Sequence, residues 1–150
     1  MEIHIEGPLL LGVSDAALKR ATTAAIYALA EEYTEATRDY IDKEKPFTSR
    51  TGSLFQSIGW NPLGDASAEV YANSKLAAWV EFGTKPHIIA PKDRKALKIP
   101  SENGGFVFRK KVHHPGTKAR PFFFGGSAKR QERVENAAFN AFSETLAEAI

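Results

Sequence analysis

The sequence predicts an α+β domain: an antiparallel sheet with a long N-terminal helix, a short middle helix and a C-terminal helix packed on it. Two observations lead to this prediction. Apolar residues recur at helical spacing in two long segments, near residues 14–44 and from residue 127 onwards. Between them lie short strand-like segments punctuated by glycine and proline. The 150 residues, with no cysteine, suit a single domain spanning 1–150.

The N-terminal part predicts a short strand and then the long helix. Ile3 and Ile5 alternate with polar residues, which is the two-residue period of a strand. Ser14 is a typical N-cap, and the helix should end before Pro46. The expected apolar stripe of this helix consists of Leu18, Ala25, Leu29, Tyr33, Ala36 and Tyr40.

The middle segments predict strands on either side of a short helix. Residues 54–58 and 67–74 have strand-like patterns, and the turn between them is expected at 61–65. Ser74 should cap a helix that stops at Gly83 in a left-handed conformation. The residues of this helix expected to face the core are Leu76, Val80 and Trp79.

The last third predicts a hairpin, a loop and the terminal helix. Residues 96–100 and 104–114 form two strands around a glycine-containing turn. Three successive phenylalanines follow at 122–124; they cannot all face one side, so either one lies at an interface or all three are buried by the last helix. The expected buried face of that helix consists of Val134, Ala138, Phe142, Leu146 and Ile150.

Charge is distributed unevenly. The net charge is only +2, yet residues 85–120 carry ten positive and two negative side chains. Such a local field attracts acidic partners, whether nucleic acid or protein. The candidate docking or DNA-contacting residues are Lys92, Arg94, Lys95, Lys98, Arg109, Lys110, Lys111, Lys118 and Arg120.

No constellation in the sequence is typical of an enzyme. Glycine-rich phosphate loops and a nucleophile elbow are both missing. Glu81, His87, His113 and His114 are conceivable metal ligands, but neighbouring residues on a strand point to opposite faces. We therefore expect no catalytic residue, no metal and no cofactor; a small metal-dependent hydrolase using these residues remains an alternative.

Membrane and secretion signals are also missing from the sequence. The most apolar stretch, residues 8–13, is too short to cross a bilayer, and Glu2 and Glu6 stand where a signal peptide needs positive charge. We expect a protein without membrane contact, made and kept in the cytoplasm.

Five short motifs occur in a fixed order. They are Thr51-Gly52-x-Leu54; Glu81-Phe82-Gly83-Thr84 leading to Pro86-His87; Pro91-Lys92; His114-Pro115-Gly116; and Arg120-Pro121-Phe122. This succession resembles the family of small phage tail-component proteins typified by the tenth gene product of bacteriophage HK97. The resemblance covers nearly the whole chain.

The resemblance implies a virion structural protein of a long-tailed phage or prophage. Such a protein is a neck or tail-completion subunit that forms an oligomeric ring at the head–tail joint. The implied partners are the head-closure or connector proteins, the tail terminator or tail tube, and passing genomic DNA, with assembly in the host cytoplasm. The alternative function is non-specific DNA binding through residues 85–120.

A ring of this kind needs two different, complementary faces on each subunit. Residues 1–50 carry a net charge of −3, in contrast to the basic region. We expect the acidic N-terminal helix of one subunit to face the basic 85–120 region of the next.

Overall fold

The computed structural model describes residues 13–48 and 51–149. The predicted strand at Ile3 and Ile5, and the position of Ile150, lie outside these residues. The elements in chain order are α1 Asp15–Glu44, α2 Ser53–Gln56, β1 Ile58–Gly64, β2 Ser67–Ala72, α3 Ala77–Phe82, β3 His87–Ile89, β4 Leu97–Pro100, β5 Phe106–Arg109, β6 Val112–His114 and α4 Ser127–Ala147. The α+β prediction is confirmed, and the described strands form three two-stranded antiparallel sheets.

Helix α1 begins and ends where the sequence predicts. The Ser14 hydroxyl accepts a hydrogen bond from the Ala17 N–H at 3.2 Å, and the first turn therefore has its N-cap. At the other end Lys45 has a φ of +46° and donates its N–H to the Ile41 carbonyl at 3.0 Å, just before Pro46. Both ends are thus fixed by local backbone chemistry.

The buried face of α1 differs from the predicted apolar stripe. Leu29 is 41% exposed, whereas small residues dominate the buried positions, which are Ala17, Ala21, Ala30, Thr34, Ala36, Thr37 and Ile41. Thr34 and Thr37 donate their hydroxyls to carbonyls one turn back, at 2.9 Å and 2.7 Å, so their burial leaves no unpaired hydroxyl proton. Small side chains allow α4 to approach closely, and side-chain size therefore decides which face is buried.

Helix α4 runs antiparallel to α1 and is joined to it by ion pairs. Arg133 bonds Asp39 at 2.6 Å and also pairs with Glu32, while Lys129 lies 3.7 Å from Glu44. The hydrogen bond from Arg133 lowers the pKa of the Asp39 carboxyl. Much of the negative charge of α1 is therefore matched within the chain.

The β1–β2 hairpin packs on α1. The Tyr27 and Trp60 rings lie 5.7 Å apart, and the Tyr27 hydroxyl donates to the Gly64 carbonyl at 2.9 Å. The prediction of a turn at residues 61–65 was wrong, because β1 continues to Gly64. The pairing with β2 shifts register between Pro62 and Gly64. Proline is tolerated here because it lies on an exposed edge.

The strand predicted over residues 54–57 was also wrong. These residues lie in α2 and its C-cap, which follow Gly52 at a φ of +70°. The helical turn places Leu54 and Ile58 in one buried cluster with Ile41 and Phe122. This core lies where the end of α1, α2, the start of β1 and the phenylalanine loop meet.

Helix α3 is only partly inserted into this core. Val80 packs against it, but Leu76 is 46% exposed and Trp79 is 56% exposed. The core positions predicted for Leu76 and Trp79 were therefore wrong, since the short helix lies at the edge of the fold. No helix in the described part of the chain is long and apolar enough to cross a membrane.

Candidate functional site

Glu81 is buried and holds the phenylalanine loop from one side. Its side chain is 5% exposed, and its two carboxylate oxygens accept four backbone N–H groups. Oε2 takes those of Phe122 and Phe123 at 2.7 and 2.9 Å, and Oε1 takes those of Phe124 and Gly125 at 3.0 and 3.4 Å. Because both oxygens are occupied, Glu81 acts as a structural anchor.

Arg130 holds the same loop from the opposite side. Its guanidinium is buried and donates to three loop carbonyls, those of Phe122 at 3.3 Å, Phe123 at 2.7 Å and Gly125 at 2.9 Å. It also donates to the Thr37 hydroxyl at 2.7 Å, which ties the loop to α1. The buried carboxylate of Glu81 therefore accepts the N–H groups of residues 122–125, and the buried guanidinium of Arg130 donates to three of the carbonyls of the same residues.

No motif in the sequence indicates this arrangement directly. Arg130 lies one turn before Val134, on the apolar side of α4, so a charge at that position was the available signal. The alternative in which all three phenylalanines are buried was wrong, whereas the interface alternative stays a prediction. Phe122 is fully buried, Phe123 is half-buried, and Phe124 is exposed beside Phe82 at a ring separation of 6.3 Å.

Tyr33 completes the anchor. Its hydroxyl donates to the Phe123 carbonyl at 2.6 Å, and its ring lies 5.0 Å from the Arg130 guanidinium carbon. Burial raises the pKa of the Tyr33 hydroxyl, the positive charge of Arg130 opposes this shift, and the negative charge of Glu81 adds to it. The protonated form is therefore the one that the fold favours.

Tyr33→Phe is expected to show how this proton contributes to stability. At neutral pH the variant should lose about 1 kcal/mol, the usual net contribution of one hydrogen bond. A raised folded-state pKa gives stability that is complete below the unfolded value of about 10 and is lost as the pH rises through the folded value. Urea unfolding of protein and variant should therefore show a difference that shrinks above about pH 10. A difference that stays constant with pH would contradict this role of the hydroxyl.

Two of the histidines meet across the β3–β6 pair. His87 pairs with His114 in the strand register, and the centres of their stacked rings lie 4.9 Å apart. His113, the residue before His114, pairs with Ile88. The Gly116 N–H donates to His114 Nδ1 at 3.1 Å. Within residues 13–48 and 51–149 no group of three or more His, Asp or Glu side chains could hold a metal ion. Glu81, the carboxylate of the hydrolase alternative, already accepts four backbone N–H groups through its two oxygens.

Two of the motif glycines lie at a close contact between two segments of the chain: Gly83 faces residues 117–119, and Gly116 faces residues 84–86. Thr84 and Thr117 form a β-bridge, with backbone hydrogen bonds of 3.0 and 3.1 Å in the two directions. A Cβ atom on Gly83 would meet the Thr117 carbonyl, and one on Gly116 would meet the Thr84 carbonyl. Gly83 ends α3 as predicted, but its φ of +73° and ψ of −177° lie outside the left-handed helical region, so the predicted left-handed conformation was wrong.

The remaining motif residues divide between the core and the surface. Leu54 and Phe122 are core residues, and Thr51 lies beside Ser53 with 2.9 Å between their hydroxyl oxygens. Gly52 precedes α2. Those with exposed side chains are Phe82, Pro86, His87, Lys92, Pro115, Arg120 and Pro121, and Pro91 is half-buried.

The nine basic candidates are all exposed. They lie on three stretches of the sequence, residues 92–98, 109–111 and 118–120. None of them forms an ion pair with a carboxylate in the described part of the chain, where the ion pairs involve Lys19, Arg38, Lys129 and Arg133 instead. The positive charge of this region is therefore not compensated by ion pairs with other described residues.

A cleft of about 1200 Å³ lies beside this charge, between α3, the β3–β6 pair and residues 47–54. Leu76, Trp79 and Ile89 give it apolar walls, and Lys118 and Arg120 line it with positive charge. Among the described residues that line it, none carries a carboxylate. The cleft is thus apolar and cationic, which suits an acidic partner with bulky side chains.

Comparison of the chain with protein-family models, curated proteins and solved structures finds no match.

Proposed function

We propose that this chain is a virion structural protein at the head–tail joint of a long-tailed phage or prophage. In this role it is a neck or tail-completion ring subunit that assembles with connector and tail proteins around the DNA channel. The proposal starts from the order of the five motifs, whose resemblance to the phage tail-component family implies it. It assigns the protein no catalytic step.

The observation that carries the proposal is the separation between internal anchoring and external charge. The buried polar groups Glu81 and Arg130 hold the loop at 122–125 and are not exposed to a ligand. The nine basic residues are exposed and unpaired within the described part of the chain, beside a cleft with apolar walls. Such a surface suits docking on acidic neighbours in an assembly.

Electron microscopy of particles produced without this gene tests the proposal. We expect filled heads and separate tails, because a missing ring leaves the joint incomplete. Supplying the intact gene from a plasmid should restore joined virions, and that complementation is the control. Normal joined virions in its absence would refute the role at the joint.

The same exposed cations favour a second candidate, a non-specific DNA-binding module. The ring proposal predicts weak binding of the isolated protein to random duplex, whereas the DNA module predicts strong binding with a steep loss in salt. A mobility-shift titration at two salt concentrations separates the two. Lys110→Ala combined with Lys111→Ala should reduce the salt slope by about 2 if those residues contact phosphates. Lys75→Ala, a change at an exposed lysine outside the basic region, is the matched control.

A further inference from the structure

The β4–β5 hairpin, residues 97–109, is here called the arm. Its strands pair in register from Leu97 with Arg109 to Pro100 with Phe106. Beyond that pairing the two strands hardly contact the other helices and strands. An isolated two-stranded hairpin is marginally stable in water unless another surface packs on it. None of the other described helices and strands therefore packs extensively on the arm.

One face of the arm is aromatic and cationic. The register places Lys98 opposite Phe108 and Pro100 opposite Phe106, so these four side chains share a face. Phe106 is 56% exposed and Phe108 is 63% exposed, and the Lys98 ammonium lies 3.8 Å from the centre of the Phe106 ring. Two adjacent exposed rings beside a cation are typical of the anchor of an interface.

The exposed face of α4 carries complementary groups. Phe139 is 69% exposed, although it lies in the middle of a helix whose opposite side packs on α1. Glu132 and Glu135 lie about two turns and one turn before it on the same side of the helix, and both are exposed. Neither forms an ion pair among the described residues; Glu135 accepts only the Gln131 side-chain amide at 2.7 Å.

The acidic groups of α1 are less free than those of α4. Arg133 pairs with Glu32 and Asp39, Lys129 with Glu44, and Arg38 with Glu35. Cations of the same chain therefore pair with four of the seven acidic side chains of α1, whereas none of the acidic side chains of α4 forms an ion pair among the described residues. The exposed ring and unpaired carboxylates on α4 therefore form the better complement to the arm. The expected pairing of the acidic N-terminal helix with the basic region stays a separate prediction.

We propose that the arm of one copy docks on the exposed face of α4 of a second copy. Phe106 and Phe108 pack against Phe139, and Lys98 lies near Glu132 and Glu135. Within one chain the arm and α4 make no substantial contact, so each subunit offers two different surfaces. Such a heterologous contact repeats from copy to copy and closes into a ring when its rotation allows. The inference rests on the proposed ring function and names its subunit contact.

Sedimentation velocity of the purified chain over a concentration series, up to about 1 mM, tests this contact. We expect concentration-dependent association that weakens at least about tenfold in Phe108→Ser and in Phe139→Ser. Leu63→Ser removes an equally exposed apolar side chain from β1 and should leave association unchanged. Circular dichroism melts of each variant show whether it is folded.

A charge exchange makes the test specific. Lys98→Glu alone, or Glu132→Lys with Glu135→Lys, should weaken association, whereas the chain carrying all three changes should regain it to within a few-fold. The control Lys75→Glu makes the same change in net charge as Lys98→Glu, away from both surfaces, and should have no effect. Failure of the triple variant to recover, with every chain folded, would overturn the pairing of these charges.

The outcomes separate this inference from the proposed function. Association that ignores both phenylalanine substitutions, or a chain that stays monomeric at the highest concentration, overturns the docking of the arm on α4. If particles without the gene still show unjoined heads and tails, the role at the joint stands without this contact. If the arm supports association but those particles are normal, the contact stands and the proposed function fails.

Discussion

Glu81→Ala is expected to destabilise the fold by about 3–5 kcal/mol, the range found when one partner of a buried charged network is removed. The four N–H groups of residues 122–125 would lose their acceptor inside the protein. Each unpaired buried donor is unfavourable, and the buried Arg130 would lose the opposite charge across the loop. Since a domain is typically stable by only about 5–15 kcal/mol, the variant should be close to unfolding at room temperature.

Urea unfolding followed by circular dichroism measures this effect. Glu102→Ala, at an exposed turn position, removes an equal charge and should change the free energy of unfolding by no more than about 0.5 kcal/mol. Glu81→Gln keeps the shape and one acceptor oxygen, so its loss should fall between those of the other two variants. A loss below about 1 kcal/mol in Glu81→Ala would mean that the loop N–H groups find other acceptors.

Glu81 and Arg130 should also be energetically coupled. Both order the loop at 122–125, one through its N–H groups and the other through its carbonyls. Once either side chain is removed, the loop is partly disordered, so removing the second side chain should cost less free energy of unfolding than it does in the unmodified protein. A double-mutant cycle with Arg130→Met should therefore show non-additivity of about 1–3 kcal/mol.

The sequence predicted the parts of this fold that local chemistry decides. Ser14 and Pro46 bound α1, the glycine-containing turn at 101–105 joins β4 to β5, and α4 begins at Ser127 as expected. Caps and turns have recognisable residues because their hydrogen bonds are local.

The anchored loop could not be predicted in the same way. The N–H groups that Glu81 binds lie 41–44 residues further along the chain, and backbone donors leave no mark in a sequence. The exposed Phe139 likewise occurs in an ordinary helical pattern, and only the packing of α4 on α1 reveals that it points away from the core. Tertiary contacts decided each of these positions.

The anchor and the docking surfaces are connected through the geometry of the chain. Glu81 lies in the last turn of α3 and holds the loop just before α4, while Gly83 and Gly116 bring the segments before β3 and after β6 together. The arm leaves the fold between β3 and β6. We expect this base to set the direction of the arm relative to α4, so that the fit of the two glycines would affect the proposed assembly as well as stability.

Gly83→Ala is expected to cost about 3 kcal/mol or more, because two penalties act at once. The backbone of Gly83, at a φ of +73° and a ψ of −177°, lies in a region open essentially only to glycine. In addition, an added Cβ would meet the Thr117 carbonyl and the Ala119 nitrogen, the latter at 2.7 Å. Gly116→Ala should behave similarly, since its φ is +86° and its Cβ would meet the Thr84 carbonyl.

Two glycines of the β4–β5 turn separate these penalties. Gly104 has a φ of +80° and open space around it, so Gly104→Ala should show the backbone strain alone, about 1 kcal/mol. Gly105 has neither a positive φ nor a neighbour within 4 Å, so Gly105→Ala should be neutral or stabilise the fold by up to about 1 kcal/mol. Thermal and urea unfolding of the four variants should therefore show the smallest loss of stability for Gly105→Ala, a larger loss for Gly104→Ala, and the largest losses for Gly83→Ala and Gly116→Ala. Equal losses of stability in Gly83→Ala and Gly104→Ala would mean that the Thr84–Thr117 bridge opens to admit a methyl group. The segments that carry the arm would then not be held in one fixed position.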